Sequence, residues 1–244
     1  PSESHQYERI VRGDLQSFSQ REFAHKNFEF VLQSNPGTTQ EYYFRVQSHE
    51  FADIRIAFRS VNRFIYYALN EYFLFGTFYG MIVIIMLYNF LVFLAIREIK
   101  YLYYIFYILS VGLYAMSLDG VGFQYLWPSH PEWNNYMSGI FLYSLILWAL
   151  VFTRMFLSTR AKVPHLDRLL MVMIVVRTLI FIIELLFYPQ FFAFRFIELV
   201  PLALIFYTGI KVWMRGYQPA RFFVIAYGLL LLGFFLRSLV FFDV

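Results

Sequence analysis

The chain has 244 residues, of which 60% are hydrophobic, 23% aromatic and only 15% charged. A soluble domain carries about a quarter charged residues, so an ordinary globular protein is excluded. The net charge of +4 is no nucleic-acid footprint, because the basic residues gather in short connections between apolar runs; the absence of cysteine excludes disulfides, thiol catalysis and cysteine-held metals.

Pro1-Ser2-Glu3 opens the chain without Met or an apolar leader. An exported domain needs a signal, so upstream sequence is expected to have been removed or not included. Residues 1–70 then carry the alternation of strands. Ile54, Ile56 and Phe58 alternate with Asp53, Arg55 and Arg59, the pattern of a half-buried strand. EYYFRVQ (41–47) and NFEFVL (27–32) are two further strands, separated by the turn signal Asn35-Pro36-Gly37-Thr38. Residues 9–12 can begin another. Three or four strands in this length make an incomplete β-sandwich. Residues 61–72, compatible with helix, link it to the first long apolar run.

LFGTFYGMIVIIMLYNFLVFLAI (74–96) has no charge and as a helix is long enough to cross a hydrocarbon core of roughly 30 Å. Five more spans lie near 101–118, 136–157, 169–188, 191–214 and 222–242, giving an all-α membrane bundle. The connection 119–135 is rich in Gly, Pro and Trp and holds no Lys or Arg. Connections after the first, third and fifth spans hold Arg97, Lys100, Arg160, Lys162, Arg168, Arg215 and Arg221, and those after the second and fourth hold none. The positive-inside rule places the basic connections in the cytoplasm and the N-terminal module outside. Trp127, Trp133, Tyr125 and Tyr188 are then expected at the outer interface. Matched broken helices in two halves, the mark of inverted-repeat transporters, are not found.

Tyr79-Gly80, Tyr88-Asn89, the run Arg97-Glu98-Ile99-Lys100-Tyr101-Leu102-Tyr103-Tyr104, and Gly122-Phe123-Gln124-Tyr125-Leu126-Trp127-Pro128 together resemble the bacterial seven-transmembrane receptors with diverse intracellular signalling modules. The strands at 41–47 and 54–58 look like the end of that family's extracellular jelly-roll domain. The resemblance covers nearly the whole chain and implies a sensory receptor in the bacterial inner membrane. An outer β-domain would bind a small molecule, glycan or protein. Seven helices would pass the signal to a histidine kinase, diguanylate cyclase, phosphatase or adenylate cyclase, and the receptor would act as a homodimer. This chain departs from the pattern in showing six spans and no output module, so a seventh span is expected beyond Val244.

Ionisable groups at membrane depth are costly and mark functional candidates. Arg177 and Glu184 lie seven residues apart on one face of the fourth span. Arg195 and Glu198 lie in the fifth span and Arg237 in the sixth. The tight Pro189-Gln190 turn makes spans four and five neighbours and puts Glu184 and Arg195 at similar depth, so they are expected to pair, with Glu198 and Arg237 near the same level. The cluster either fixes helix packing or forms a bistable element. Arg177 is expected to lean toward the cytoplasmic side, away from Glu198. Its partner there would be the Ile197 carbonyl freed by Pro201 or a tyrosine.

Other chemistry is sparse. The five histidines, His5, His25, His49, His130 and His165, lie outside the spans, which disfavours an intramembrane metalloprotease or haem protein. Ser138-Gly139 has no intramembrane His to activate it and reads as a packing site. Asp119, beside Gly120 and Gly122, is either a turn or an outer-loop ligand. Trp127 and Trp133 either stack on a sugar or anchor the interface. No catalytic residue, metal site or cofactor motif is read from the sequence. The rivals to a receptor are a transporter or channel subunit, a membrane enzyme holding lipid-linked precursors through Arg177 and Glu198, and a scaffold.

Overall fold

The computed structural model describes residues 9–32, 37, 41–48, 54, 56–187 and 198–241, with side chains for all of these but 234 and 237–241. Among them, α-helices come in the order α1 (Val61–Ile96), α2 (Ile99–Leu118), α3 (Val121–Tyr125), α4 (Asn134–Phe156), α5 (Thr159–Lys162), α6 (Pro164–Phe187), α7 (Leu199–Met214) and α8 (Ala220–Phe241). The helices α1, α2 and α6, and the stretch Pro131–Phe156 that contains α4, are long and apolar enough to cross a membrane. The segments Leu199–Met214 and Ala220–Gly233 are shorter apolar helices. The protein is therefore a helical membrane protein, and the expected spans fall on α1, α2, α4, α6, α7 and α8. The start of the fifth span, 191–197, lies outside the described residues.

Two expectations need correction. No described residue before Val61 is in a strand, although 27–32 and 41–47 alternate as strands should. Alternation supplies a face to bury, but a strand exists only where a neighbouring chain completes its ladder. The connection after α2 is likewise more ordered than a loop. It holds α3 and a 3-10 turn at Pro131–Trp133, with Gly120 at φ 76° opening α3, a conformation that suits glycine.

The chain divides into two compact units: Pro1–Gly76 with Met116–Asn134, and Thr77–Ala115 with Asn135–Val244. In the first, Phe18 is buried edge-on against Phe123 at 5.6 Å. The Phe18 amide donates to the Pro128 carbonyl at 2.9 Å, and the Ser17 hydroxyl donates to the same oxygen at 3.1 Å. Arg21 lies over the rings of Phe18, Phe28 and Phe123 and donates to Asp14 at 2.7 Å and to the His25 and Lys26 carbonyls. Two segments a hundred residues apart thus share one small aromatic core, which the charge count independently assigned to one side of the membrane.

The second unit is built by helical stripes. Leu142, Ile146, Ala149, Leu150 and Thr153 recur on one face of α4, and Leu202, Ile205, Thr208, Gly209 and Val212 on one face of α7. They meet Leu170 of α6 and Phe223 and Tyr227 of α8 in the core. A side chain at Gly209 would come within 2.9 Å of the Phe223 ring, so glycine there sets how closely α7 approaches α8. Aromatic rings fasten the remaining helices. Phe106 of α2 stacks on Trp148 of α4 at 4.7 Å, and Tyr143 of α4 stacks on Phe181 of α6 at 4.0 Å. Ser110 and Ser144 share a hydrogen bond of 2.8 Å between α2 and α4.

Candidate functional site

The α6 helix carries Arg177 and, two turns later, Glu184 on the same face, as a spacing of seven residues requires. Glu198 sits at the position before α7, where its side chain makes no capping bond to the helix. It is used instead by Arg177, whose Nε donates to Glu198 Oε1 at 2.9 Å and whose Nη2 donates to the same oxygen. The third donor, Nη1, reaches Glu184 Oε2 at 3.2 Å. Arg177 and Glu198 are 6% and 4% exposed and Glu184 is half-buried beside them, so the guanidinium and its two carboxylates form a triad that ties α6 to the start of α7. The second oxygen of Glu198, Oε2, is buried and accepts no hydrogen bond from the described residues.

This placement corrects the expected lean of Arg177 away from Glu198. A side chain's tilt along its helix is a mild rotamer preference. Leaving the two carboxylates without a counter-charge costs several kcal/mol, an order-of-magnitude figure that outweighs it. The long arginine stem allows the reversal. The expected Glu184–Arg195 pair and the Ile197 carbonyl lie outside the described residues, as does the side chain of Arg237. Glu184 and Glu198 are nonetheless brought together, by the one arginine that helical geometry places elsewhere.

A second, half-buried ion pair escapes a reading of the sequence. Arg154, in the last turn of α4, grips Asp167 of α6 with two bonds, Nε to Oδ1 at 2.9 Å and Nη2 to Oδ2 at 3.0 Å. The Thr159 hydroxyl adds a third at 2.6 Å. The available signal was Pro164 with an acid three residues later, a helix-start pattern. Here the acid also closes the basic hairpin. Lys162 lies 3.8 Å from the centre of the Tyr217 ring, so the connections after α4 and α7 meet. Both are connections that the basic-residue count assigned to the same side.

The outer-loop candidates are dispersed. Trp127 is 4% exposed, and its indole N–H donates to Asn134 Oδ1 at 2.7 Å. A side chain on Gly122 would come within 2.5 Å of its ring. Trp127 is therefore a core residue, contrary to the expectation of an interfacial anchor or sugar platform. The missing side chain of Gly122 makes its slot. Trp133 is more exposed and stacks on His130 at 4.9 Å. Asp119 precedes the positive-φ Gly120 that starts α3, which fits a turn. Burial lowers the Arg21 guanidinium despite the Asp14 carboxylate beside it. No group of three metal-ligating side chains occurs among the described residues.

The charges and hydrogen bonds of the triad link α6 to the start of α7. Residues 71–244 match the family model described as 7TM diverse intracellular signalling, and residues 1–60 match the one described as 7TMR-DISM extracellular 2. No curated protein and no solved structure matches the chain.

Proposed function

Because the chain belongs to the 7TM diverse intracellular signalling family, we propose that it is the sensing and membrane-crossing region of a bacterial inner-membrane receptor. The N-terminal module, part of an outer β-sandwich in the complete receptor, faces the periplasm and binds a small molecule, glycan or protein. Helix movement carries the signal to a cytoplasmic output module, a kinase, cyclase or phosphatase, that lies beyond a seventh span. The receptor works as a homodimer, and the region itself catalyses no reaction.

The observation that carries this reading is the Arg177 triad. A guanidinium shared between a carboxylate on its own helix and one at the start of the next can trade partners when the helices shift. Buried interfaces of this kind are bistable rather than continuously deformable. The test is a full-length receptor containing this region in which Arg177→Met, Glu184→Leu and Glu198→Leu are combined. Removing all three leaves no unpaired buried charge, so folding is retained while ligand-dependent output is lost or locked. Unchanged ligand response in that folded variant would reduce the triad to packing. Solute uptake by liposomes carrying the chain would replace the receptor with a transporter.

A further inference from the structure

His25 is buried, 3% exposed, in a connection without regular structure. Its ring packs edge-on against Phe64 and Tyr72 of α1 and tilted against Tyr67. The backbone on either side is pinned. The Lys26 amide donates to the Tyr72 hydroxyl at 3.3 Å, Tyr72 donates to Gln124 Oε1 at 2.6 Å, and Gln124 Nε2 returns to the Ala24 carbonyl at 3.0 Å. Arg21 holds the His25 carbonyl at 3.0 Å. The stretch 24–27 is thus clamped between α1 and α3, with the imidazole at the centre of the clamp.

The two ring nitrogens face different partners. The Asn27 amide donates to Nδ1 at 3.2 Å, so Nδ1 presents a lone pair and the proton of the neutral ring sits on Nε2. That nitrogen lies 3.3 Å from Glu71 Oε2 without a hydrogen bond between the two among the described residues, while Lys26 Nζ takes the other Glu71 oxygen at 3.0 Å. A second carboxylate, Glu29 Oε1, waits 3.6 Å from Nδ1. Among the described residues, the charged and titratable groups around the ring are Lys26 and Glu29 from its own segment and Glu71, Tyr67 and Tyr72 from α1. The α3 helix contributes the neutral Gln124, and Arg59 lies over the Tyr67 ring at 4.1 Å.

We propose that His25 is a proton-operated latch: protonation makes Nδ1 a donor, which expels the Asn27 amide and hands the ring to Glu29. Two donors cannot share one contact, so the exchange has two discrete states rather than a continuum. The neutral state holds residue 27 against the ring. The protonated state, a cation between Glu29 and Glu71, releases the Asn27 amide and with it the stretch of the N-terminal module that begins there. Neutral His25 leaves Lys26, Glu29 and Glu71 with a sum of one negative charge, and the added proton cancels it. Burial holds His25 below its usual value of 6.5 despite the two carboxylates, so the latch stays closed near neutral pH and opens in acid.

The test is nuclear magnetic resonance of the full chain in nanodiscs, with 15N-labelled histidine rings and 15N-labelled asparagine amides. Signals are assigned through His25→Gln and Asn27→Gln. The expected result is an Nε2–H tautomer at pH 8, a midpoint below 6.5, and an Asn27 amide signal that moves with that same midpoint. Glu29→Gln, which removes the acceptor of the open state, is expected to lower the midpoint further. An Nδ1–H tautomer at pH 8, an Asn27 amide that ignores the His25 titration, or a midpoint raised or unmoved by Glu29→Gln would each overturn the proposal. If a variant fails to fold, sequential backbone assignment of the wild-type chain identifies the two signals, and the tautomer and the shared midpoint decide the question. Neither outcome bears on whether the chain is a receptor.

Discussion

Arg177 spends three donors on two carboxylates, which makes removing it alone worse than removing the set. Arg177→Met leaves Glu184 and Glu198 without a counter-charge and is expected to cost about 3–5 kcal/mol. The triple replacement with Glu184→Leu and Glu198→Leu is expected to cost far less, and thermal melts in nanodiscs of the two variants measure the difference. If the single variant melts no lower than the triple one, the triad is not held as described. Gly122→Ala pushes a methyl into the Trp127 ring and is expected to cost about 1–3 kcal/mol, the usual range for overpacking. Tryptophan fluorescence should report it as a loosened indole. His25 supplies the pH dependence. Its value in the folded chain lies below 6.5, so between those two values the unfolded chain binds more protons. Stability is therefore complete above 6.5 and falls as pH drops through that window. His25→Gln is expected to flatten this part of the melting-temperature profile, and an unchanged slope would contradict the assignment.

At the scale of the element, α1 is the informative helix. Its 36 residues rise about 54 Å, well beyond a hydrocarbon core of roughly 30 Å. The boundary between the two units falls at Gly76, leaving Thr77–Ile96 to span. The chain has no cysteine, so single cysteines can be placed freely. Those at 61–69 are expected to react with a water-borne maleimide and those at 81–92 to resist it. Uniform protection along α1 would contradict a helix that projects from the membrane. The spans were legible because an uninterrupted apolar run of that length has few alternatives. The module before Val61 was not, because the alternation at 27–32 and 41–47 states which residues share a face and says nothing of a partner strand. Trp127 was misread for a related reason. A tryptophan near a span end looks like an interfacial anchor, and what buries it is an absence, the side chain that Gly122 lacks. The partner of Arg177 depended on how far a flexible side chain reaches, which helical periodicity does not encode.

For the molecule as a whole, the basic connections provide the frame. Residues 14–28 pack with 122–134 in one unit, and the connections after α4 and α7 meet through Lys162 and Tyr217 in the other. Each meeting joins stretches that the lysine and arginine count places on a common side. The direct test labels intact cells with a membrane-impermeant maleimide, using single cysteines in place of Glu132 and of Lys162. The account predicts that position 132 reacts from outside and position 162 reacts only after the membrane is opened. Labelling of position 162 in sealed cells, with position 132 protected, would contradict it.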